Sequence, residues 1–366
     1  MTTSCHVYYS IIKKSYILDK SNMVKKNSNL QAAKNLKDDE FYTTYETVES
    51  EIAHYLPHFE GKVILCNCDD PFESNFCKYF LRNFNTLKLK RLICTSYSYS
   101  SVVGTQLKFL DNNHKPLRKK SGYVLDVIKF SDSIGEISEE EISNFLRTAN
   151  VIKKLHGNGD FRSDECIEYL KACDIVVTNP PFSLFKELVI EIVKYDKKFL
   201  IIGNQNAITY KEIFPLIQNN EVWTGYRFGE MKFRVPKNSK PRKYRYWVDE
   251  TGQKWRSLGN AMWLTNLDNK RRHELIDMTK TYNPQDYPKY DNFDAINVKT
   301  IRDIPCDYYG IMGVPITIIN RYNSEQFEIV GEANHGSDNE FDLFKPTIGG
   351  KEIFKRILIR RKPNER

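Results

Sequence analysis

Short apolar runs rich in β-branched residues alternate with amphipathic stretches through the middle of this 366-residue chain. Runs of this length predict buried strands, and apolar positions three or four residues apart predict helices. The predicted strands are residues 62–66, 91–94, 174–178 and 198–202. Helical segments between such strands favour an α/β fold with a mainly parallel sheet and helices on both of its faces.

The predicted helices run from the first strand to about residue 84 and over residues 139–149, 164–172 and 183–195. Residues 96–130 interrupt the alternation, and we expect a hairpin there, with residues 107–110 and 123–128 as its arms. Further strands are predicted at residues 221–225, 261–267, 316–319 and 357–359. The chain therefore continues beyond the α/β pattern into a C-terminal third with short strands.

Composition narrows the class of protein without identifying it. A hydrophobic content of 40% is enough to build a core in a chain of this length. The 55 Lys and Arg residues against 47 Asp and Glu give a net charge of +8, which is compatible with a polyanionic partner. No apolar run approaches the ~18 residues that cross a bilayer, so we expect no membrane partner.

The eight cysteines are scattered and form no CxxC pair. In a long chain this pattern predicts free thiols in a cytoplasmic protein. The alternative is a metal site at Cys66, Cys68 and His156. Their spacing fits no usual zinc site, so no metal site is predicted.

The most specific chemistry follows the strand at residues 174–178, where the chain reads Asn179-Pro180-Pro181-Phe182. The lone pair of an exocyclic amine is delocalised into its ring, so a catalyst must hold the nitrogen by its N–H groups. The Asn179 oxygen and a carbonyl of the diproline turn can accept these bonds, and Phe182 can stack on the base. The alternative is a proline-rich turn with a buried phenylalanine, and the strand before and the helix after favour catalysis.

A basic segment lies between the predicted strands at 221–225 and 261–267, and Phe233, Tyr244, Tyr246 and Trp247 are interleaved in it. Basic side chains neutralise phosphates, and aromatic rings stack on bases. The alternative is a solvated loop whose charges keep it soluble. With the neighbouring turn, the segment predicts DNA contacts by Arg227, Lys232, Arg234, Lys237, Arg242, Lys243 and Arg245.

Longer runs resemble the EcoRI-type family of adenine-specific DNA methyltransferases. They include Asp39-Glu40-Phe41-Tyr42-Thr43, Cys66-Asn67-Cys68-Asp69-Asp70-Pro71, Gly159-Asp160-Phe161-Arg162-Ser163 and residues 174–186, 195–202, 263–268, 287–298 and 312–317. The similarity extends from about residue 34 to residue 360 and weakens over 96–150, 227–258 and 331–350. Long matched runs in one order are more specific than the tetrapeptide alone.

The resemblance implies a class I, Rossmann-like fold that transfers a methyl group from S-adenosylmethionine to N6 of adenine in duplex DNA. It also implies the modification arm of a type II restriction–modification system, with a cognate endonuclease acting on the same site. The implied catalytic residues are Asn179, Pro180, Pro181 and Phe182. The implied cofactor contacts are Asp39, Phe41 and Tyr42 at the methionine end, Asp160 at the adenine ring, and Cys66, Asn67, Asp69 and Asp70 in the first loop.

Residues 1–35 are polar, rich in Asn and Lys and weakly patterned, which predicts a flexible arm. With the resemblance, we expect a catalytic domain (36–267) with a basic DNA-recognition insertion (227–258), and a C-terminal target-recognition region (268–366). The cofactor loop departs from most methyltransferases because it lacks glycine, and either Cys66–Cys68 or Asp70–Ser74 can occupy the usual glycine turn. The second strand ends without the acid that commonly binds ribose hydroxyls, so no ribose-binding residue is predicted.

Two other functions stay open. The same turn occurs in methyltransferases that act on RNA bases or on cytosine N4, although these leave the matched C-terminal third unexplained. A DNA-binding module that has lost cofactor binding is the second alternative. The divergent residues 226–259 also leave the recognition sequence open, although the family suggests GAATTC. The segment from Met23 resembles the start of the family's chains, which predicts an upstream extension at 1–22.

Overall fold

The computed structural model describes residues 42–97, 122–130, 137–148, 151–235, 241, 243–333 and 345–363. The chain divides into two units, Met1–Asp39 and Glu40–Arg366, and every described residue belongs to the second. The predicted arm at 1–35 and the segment around Met23 therefore lie outside the described residues.

Six α-helices lie within the described residues. They are α1 Tyr45–Ile52, α2 Asn75–Arg82, α3 Glu139–Thr148, α4 Asp164–Ala172, α5 Phe185–Lys194 and α6 Phe214–Gln218. Short 3-10 helices occupy Leu56–His58, Gln205–Thr209, Lys270–His273, Ile301–Asp303 and Ile316–Arg321. The helices predicted at 139–149, 164–172 and 183–195 are confirmed as α3, α4 and α5.

The strands of the N-terminal two thirds are β1 Tyr42–Thr43, β2 Val63–Asn67, β3 Arg91–Thr95, β4 Tyr123–Val127, β5 Ile152–Lys154, β6 Ile175–Thr178, β7 Lys198–Asn204, β8 Trp223–Arg234, β9 Tyr246–Val248 and β10 Lys254–Thr265. Those of the C-terminal third are β11 Ile296–Asn297, β12 Met312–Pro315, β13 Phe327–Ala333, β14 Thr347–Ile348, β15 Lys351–Glu352 and β16 Arg356–Arg361. The four strands that define the α/β pattern are confirmed as β2, β3, β6 and β7.

The main sheet has the order β1-β8-β10-β7-β6-β2-β3-β4-β5, with β9 paired to β10. The central strands β7, β6, β2 and β3 are parallel. The strands on either side pair antiparallel, so the described sheet is mixed and its parallel part is confined to the centre. Helices α2, α4 and α5 follow central strands or lead into them, and parallel neighbours require such crossovers.

The central strands are buried on both faces, with successive side chains entering two different cores. Leu65 and Val176 pack with residues of α4, α5 and α6. Ile64 and Val177 pack with residues of α1, α2 and α3. Because side chains alternate across a strand, this division confirms that helices cover both faces of the sheet.

The C-terminal third contributes a four-stranded sheet of order β11-β12-β16-β13. Its apolar residues, such as Met312 and Ile359, join the same core as α4, α5 and α6. The strand predicted at 357–359 is confirmed within β16. The strand predicted at 316–319 is wrong: it is a 3-10 helix, because Pro315 lacks an N–H and ends β12.

The predicted hairpin at 96–130 lies mostly outside the described residues, including its first arm at 107–110. Its second arm is β4, which pairs antiparallel with β3 and β5. The described part of this insertion therefore extends the main sheet beyond β3.

The strands flanking the basic segment are longer than predicted. Strand β8 continues to Arg234 and β10 begins at Lys254, so much of the basic insertion is sheet rather than loop. Met231 and Phe233 are buried while Lys232 is exposed, which is the alternation of a strand with one covered face. The many charged residues of this segment obscured the alternation of buried and exposed positions in the sequence.

Candidate functional site

The four parallel strands end together at one edge of the sheet, which we call the carboxyl edge. Residues 68–74 follow β2, Ser96 follows β3, and residues 179–182 follow β6. Ligands of open α/β sheets bind at this edge. The fold therefore brings the predicted cofactor loop and the predicted catalytic turn to the same end of the sheet.

Asp69 joins three of these strand ends. Its backbone N–H donates to the Thr95 carbonyl at 3.1 Å. The Ser74 hydroxyl lies 2.7 Å from its Oδ1, and the Thr178 hydroxyl lies 2.6 Å from its Oδ2. Thr178 Oγ1 also contacts the Asn67 carbonyl. Both of its oxygens therefore serve contacts inside the protein, and burial raises the pKa of Asp69 to about 7.

Asp70 is also buried and held within the protein. Its Oδ1 accepts from the Phe72 N–H at 2.9 Å, and its Oδ2 accepts from the Tyr123 hydroxyl. Burial raises its pKa. Neither contact was predicted from the sequence. Asp70 thereby fixes the cofactor loop against β4.

The turn at 179–182 is tied to the beginning of the described chain. Asn179 Nδ2 donates to Thr43 Oγ1 at 3.1 Å, and Asn75 Nδ2 donates to the Thr43 carbonyl at 2.7 Å. Thr43 is buried and was not predicted as a site residue. It places Asn179 against β1, so the side-chain amide has a fixed neighbour before any base arrives.

The diproline turn keeps one carbonyl available. The Leu184 N–H donates to the Pro181 carbonyl at 2.8 Å and closes the turn into α5. No described residue donates to the Pro180 carbonyl oxygen. Pro180 is buried, and the half-buried ring of Phe182 packs against the core beside α1 and α2.

Two buried polar side chains end neighbouring strands at the carboxyl edge. Asn67 and Thr95 are directly paired in the β2–β3 register and are 4% and 1% exposed. Among the described residues, Asn67 Oδ1 and Thr95 Oγ1 have no hydrogen-bond partner. A buried polar atom without a partner is costly, so both oxygens are suited to a bound ligand. Thr95 was not predicted, because the residue expected to bind a ligand at the end of the second strand is an acid.

The cofactor loop turns at Cys68, which has a φ of 66°. This left-handed conformation normally favours glycine, so it favours the Cys66–Cys68 register for the missing glycine turn. The Cys66 side chain itself lies in the core, where burial raises its pKa to about 11.

The other predicted cofactor residues are dispersed around this edge. Asp160 follows Gly159, where a Cβ would overlap the Ser96 carbonyl, and its carboxylate forms a two-bond pair with Arg162 at 2.7 and 2.9 Å. Tyr42 lies in β1. Asp39 and Phe41 lie outside the described residues.

Part of the basic segment projects past the carboxyl edge. Pairing between β10 and β7 ends at Ala261 and Asn204, so residues 254–260 extend beyond β7. We call the described residues 229–235 and 243–259 the basic tip. Phe233 of the tip pairs with Thr43, which brings the tip next to Asn179. Lys232, Lys243 and Arg245 are exposed here and Arg234 is half-buried, while Lys237 and Arg242 lie outside the described residues.

Arg227 lies at the root of the tip, where β8 departs from regular pairing. Glu51 Oε1 accepts from the Tyr226 N–H at 2.6 Å, and its Oε2 accepts from the Arg227 N–H at 2.8 Å. Glu51 is fully buried, which raises its pKa to about 7. Glu51 was not predicted as a site residue, because a lone glutamate in a helix normally indicates a solvated face.

Within the described residues, no helix is long and apolar enough to cross a membrane. The same residues contain no group of three or more His, Cys, Asp or Glu side chains arranged to hold a metal ion.

Comparisons with known proteins agree with this geometry. The model of the family described as "Adenine-specific methyltransferase EcoRI" matches residues 29–362. The Escherichia coli protein named Type II methyltransferase M.EcoRI is 45% identical over 345 residues, covering 92% of this chain and 97% of the relative. The Mycoplasma genitalium protein named Type II methyltransferase M.MgeORF184P is 35% identical, covering 81% and 84%. The Mycoplasma pneumoniae protein named M.MpnI is 34% identical, covering 81% and 83%. No solved structure matches the chain.

Proposed function

This chain belongs to the EcoRI family of adenine-specific methyltransferases, and from that premise we propose which of its residues carry out the reaction. It is a type II DNA methyltransferase that modifies adenine as part of restriction–modification. We propose that the methyl group goes to N6 of an adenine rotated out of duplex DNA, and that S-adenosylmethionine is the donor. A cognate endonuclease acting on the same site belongs to the same proposal.

Asn179 and the Pro180 carbonyl accept the two N–H bonds of the adenine amino group. The observation that carries this assignment is the turn at 179–182. Its side-chain amide is held by Thr43, and its Pro180 carbonyl has no described donor. Two fixed acceptors draw the nitrogen towards a pyramidal shape and localise its lone pair. Since the acceptors are set before the base enters, no reorganisation is needed during the reaction.

Phe182 stacks on the extruded adenine, and Pro181 fixes the turn that presents both groups. Rotating a paired base out of the duplex costs a few kcal/mol. Stacking on an aromatic ring returns roughly 1–3 kcal/mol. The half-buried position of Phe182 supports this role, because its packed side fixes the ring.

The carboxyl edge fits the proposed donor. Asn67 and Thr95 offer buried oxygens without described partners, and Thr95 takes the place where related enzymes carry an acid. When bound, S-adenosylmethionine supplies a methyl group on a positively charged sulfur. Asp69 and Asp70 hold the cofactor loop in its conformation, and Cys66 contacts the cofactor through its backbone. Asp39, Phe41, Tyr42 and Asp160 complete the proposed contacts.

The basic tip and Arg227 bind the DNA backbone next to the catalytic turn. Lys232, Arg234, Lys243 and Arg245, together with Lys237 and Arg242, neutralise phosphates. We also propose the division into an arm (1–35), a catalytic domain (36–267) and a target-recognition region (268–366). The separate β11-β12-β16-β13 sheet supports the last boundary.

The test is Asn179→Ala in the full chain. We expect turnover to fall by about 10²–10³-fold or more, with DNA and S-adenosylmethionine affinities close to wild type, because only the reacting nitrogen loses its acceptor. Near-normal turnover would refute the assignment. Nucleoside mass spectrometry of DNA and RNA from expressing cells identifies the product. N4-methylcytosine or methylated RNA in place of N6-methyladenine would favour the corresponding alternatives. Calorimetry showing no cofactor binding by wild type would favour a DNA-binding module.

A further inference from the structure

Four side chains form one row across the basic tip. The strand registers pair Tyr42 with Arg234, Arg234 with Trp255, and Trp255 with Trp247. Directly paired residues of antiparallel strands project from the same face of a sheet. We call these four residues, on β1, β8, β10 and β9, the cross-strand row.

The row holds one cation between aromatic rings. The Arg234 guanidinium lies 5.6 Å from the centre of the Tyr42 ring. The Trp247 and Trp255 rings are stacked, with centroids 6.2 Å apart and planes 7° apart. Trp255 is fixed by a 2.7 Å hydrogen bond from its Nε1 to Asp249 Oδ2. Trp247 therefore stacks on Trp255, whose position is fixed by this hydrogen bond.

The row faces outward. Met231 and Phe233, which alternate with the row along β8, are buried in the core beside α1 and α2. Lys232 shares the outer face and is exposed, and Trp247 is 37% exposed.

The charge of the surroundings favours a polyanion. Lys243 and Arg245 precede β9 and are exposed. Of the nearby acids, Glu230 accepts from the Ser257 hydroxyl at 2.5 Å and Asp249 accepts from Trp255, while Glu250 is exposed. Aromatic rings beside basic side chains suit nucleic acid, which offers bases for stacking and phosphates for ion pairing.

We propose that the cross-strand row is a DNA-contact surface in which Trp247 stacks on a base or sugar next to the target site and Arg234 contacts a phosphate. The proposal rests on the proposed function, because the row begins at Tyr42, one residue from the Thr43 that holds Asn179. DNA bound there lies beside the catalytic turn. The row adds a non-ionic contact to a surface otherwise assigned to charges alone.

The experiment compares Trp247→Ala and Trp247→Phe in the full chain. Affinity for a labelled duplex that the wild-type protein methylates is measured by fluorescence anisotropy between 50 and about 200 mM salt. We expect Trp247→Ala to weaken binding by about 5- to 150-fold, the range that corresponds to loss of one stacked base. The dependence on salt should not change, because no ionic contact is removed. Trp247→Phe should bind within about threefold of wild type.

Tyr195→Ala is the matched control. Its ring also lies near cations, with the ammonium groups of Lys194 and Lys171 5.0 and 5.8 Å from its centre. It sits between α5 and β7, at the end of the sheet opposite Asn179. We expect its DNA affinity to match wild type.

A Trp247→Ala protein with wild-type thermal stability and cofactor affinity that binds duplex as wild type does overturns the proposal. A change in self-association with unaltered DNA affinity also overturns it and assigns the row to a second copy. Either result leaves the proposed function standing if methylation persists. Absence of N6-methyladenine with the wild-type protein rejects the proposed function instead.

Discussion

The carboxyl edge and the basic tip are neighbours that are built in opposite ways. At the carboxyl edge, Asp69, Thr178 and Ser74 are joined by hydrogen bonds of 2.6–2.7 Å and largely withdrawn from solvent. At the tip, exposed cations and rings cover one face of a sheet whose other face is buried. Catalysis on a single nitrogen requires fixed geometry, whereas holding a long polyanion requires reach and charge. Changes at the edge should therefore alter stability and turnover, and changes of charge at the tip should alter DNA affinity and its salt dependence.

The largest effect is expected at Asp69, which joins three strand ends at the carboxyl edge. Asp69→Ala removes the buried acceptor of the Ser74 hydroxyl, whereas the Thr178 hydroxyl keeps its contact with the Asn67 carbonyl. One unpaired hydroxyl costs about 1–3 kcal/mol and the lost side-chain volume adds to it, so we expect the free energy of unfolding to fall by at least about 1–3 kcal/mol. Chemical denaturation measures this change. Asp69→Asn is the comparison that keeps the volume, and it should lose less. An unchanged unfolding midpoint in Asp69→Ala would mean that Asp69 does not hold the strand ends of the carboxyl edge together.

The second effect concerns the link between the two regions. Thr43→Val removes the oxygen that accepts from Asn179 but keeps the shape of the side chain. Loss of one such bond is worth about 1–1.5 kcal/mol, so kcat should fall about tenfold while DNA and cofactor affinities hold. Thr43→Ser should restore turnover. Equal losses in both variants would indicate packing at Thr43 in place of positioning.

How much of this was readable from the sequence differs between the two regions. The carboxyl edge could be predicted from local patterns. The β-branched runs predict parallel strands at the centre of the sheet, and Asn179-Pro180-Pro181-Phe182 indicates where catalysis takes place. Thr43, the partner of Asn179, lies 136 residues away in sequence, and Asp69, the partner of Thr178 just before the turn, lies 109 residues away. No local pattern indicates such pairings. At the tip, the predicted strands were shorter than the observed ones, because charged residues on the exposed face masked the alternation of the buried Met231 and Phe233.

The third prediction concerns the root of the tip and uses pH. Glu51 has a pKa of about 7 when folded against 4.5 as its ordinary value, because burial opposes ionisation. A carboxyl whose pKa is raised on folding stabilises the protein fully below pH 4.5, and that stabilisation is lost as pH rises to 7. The decline is on the order of 3 kcal/mol. Glu51→Gln cannot ionise, so its unfolding free energy should vary less over this pH range. Parallel profiles for the two proteins would contradict this account.

The smallest effect is expected at the tip itself, from Lys232→Gln. Lys232 is exposed on the outer face of β8, so removing its charge should leave stability unchanged. If it neutralises one phosphate, the slope of log affinity against log salt should become shallower by about 0.9, since one counterion fewer is released. Turnover at saturating DNA should hold, because the carboxyl edge is untouched. The measurement is a salt titration of duplex binding, and Glu60→Gln, an exposed carboxylate in the turn before β2, is its control. A Lys232→Gln variant that keeps the wild-type salt dependence of DNA binding but loses turnover would contradict this comparison. It would show that the basic tip contributes to catalytic geometry and not only charge for DNA binding.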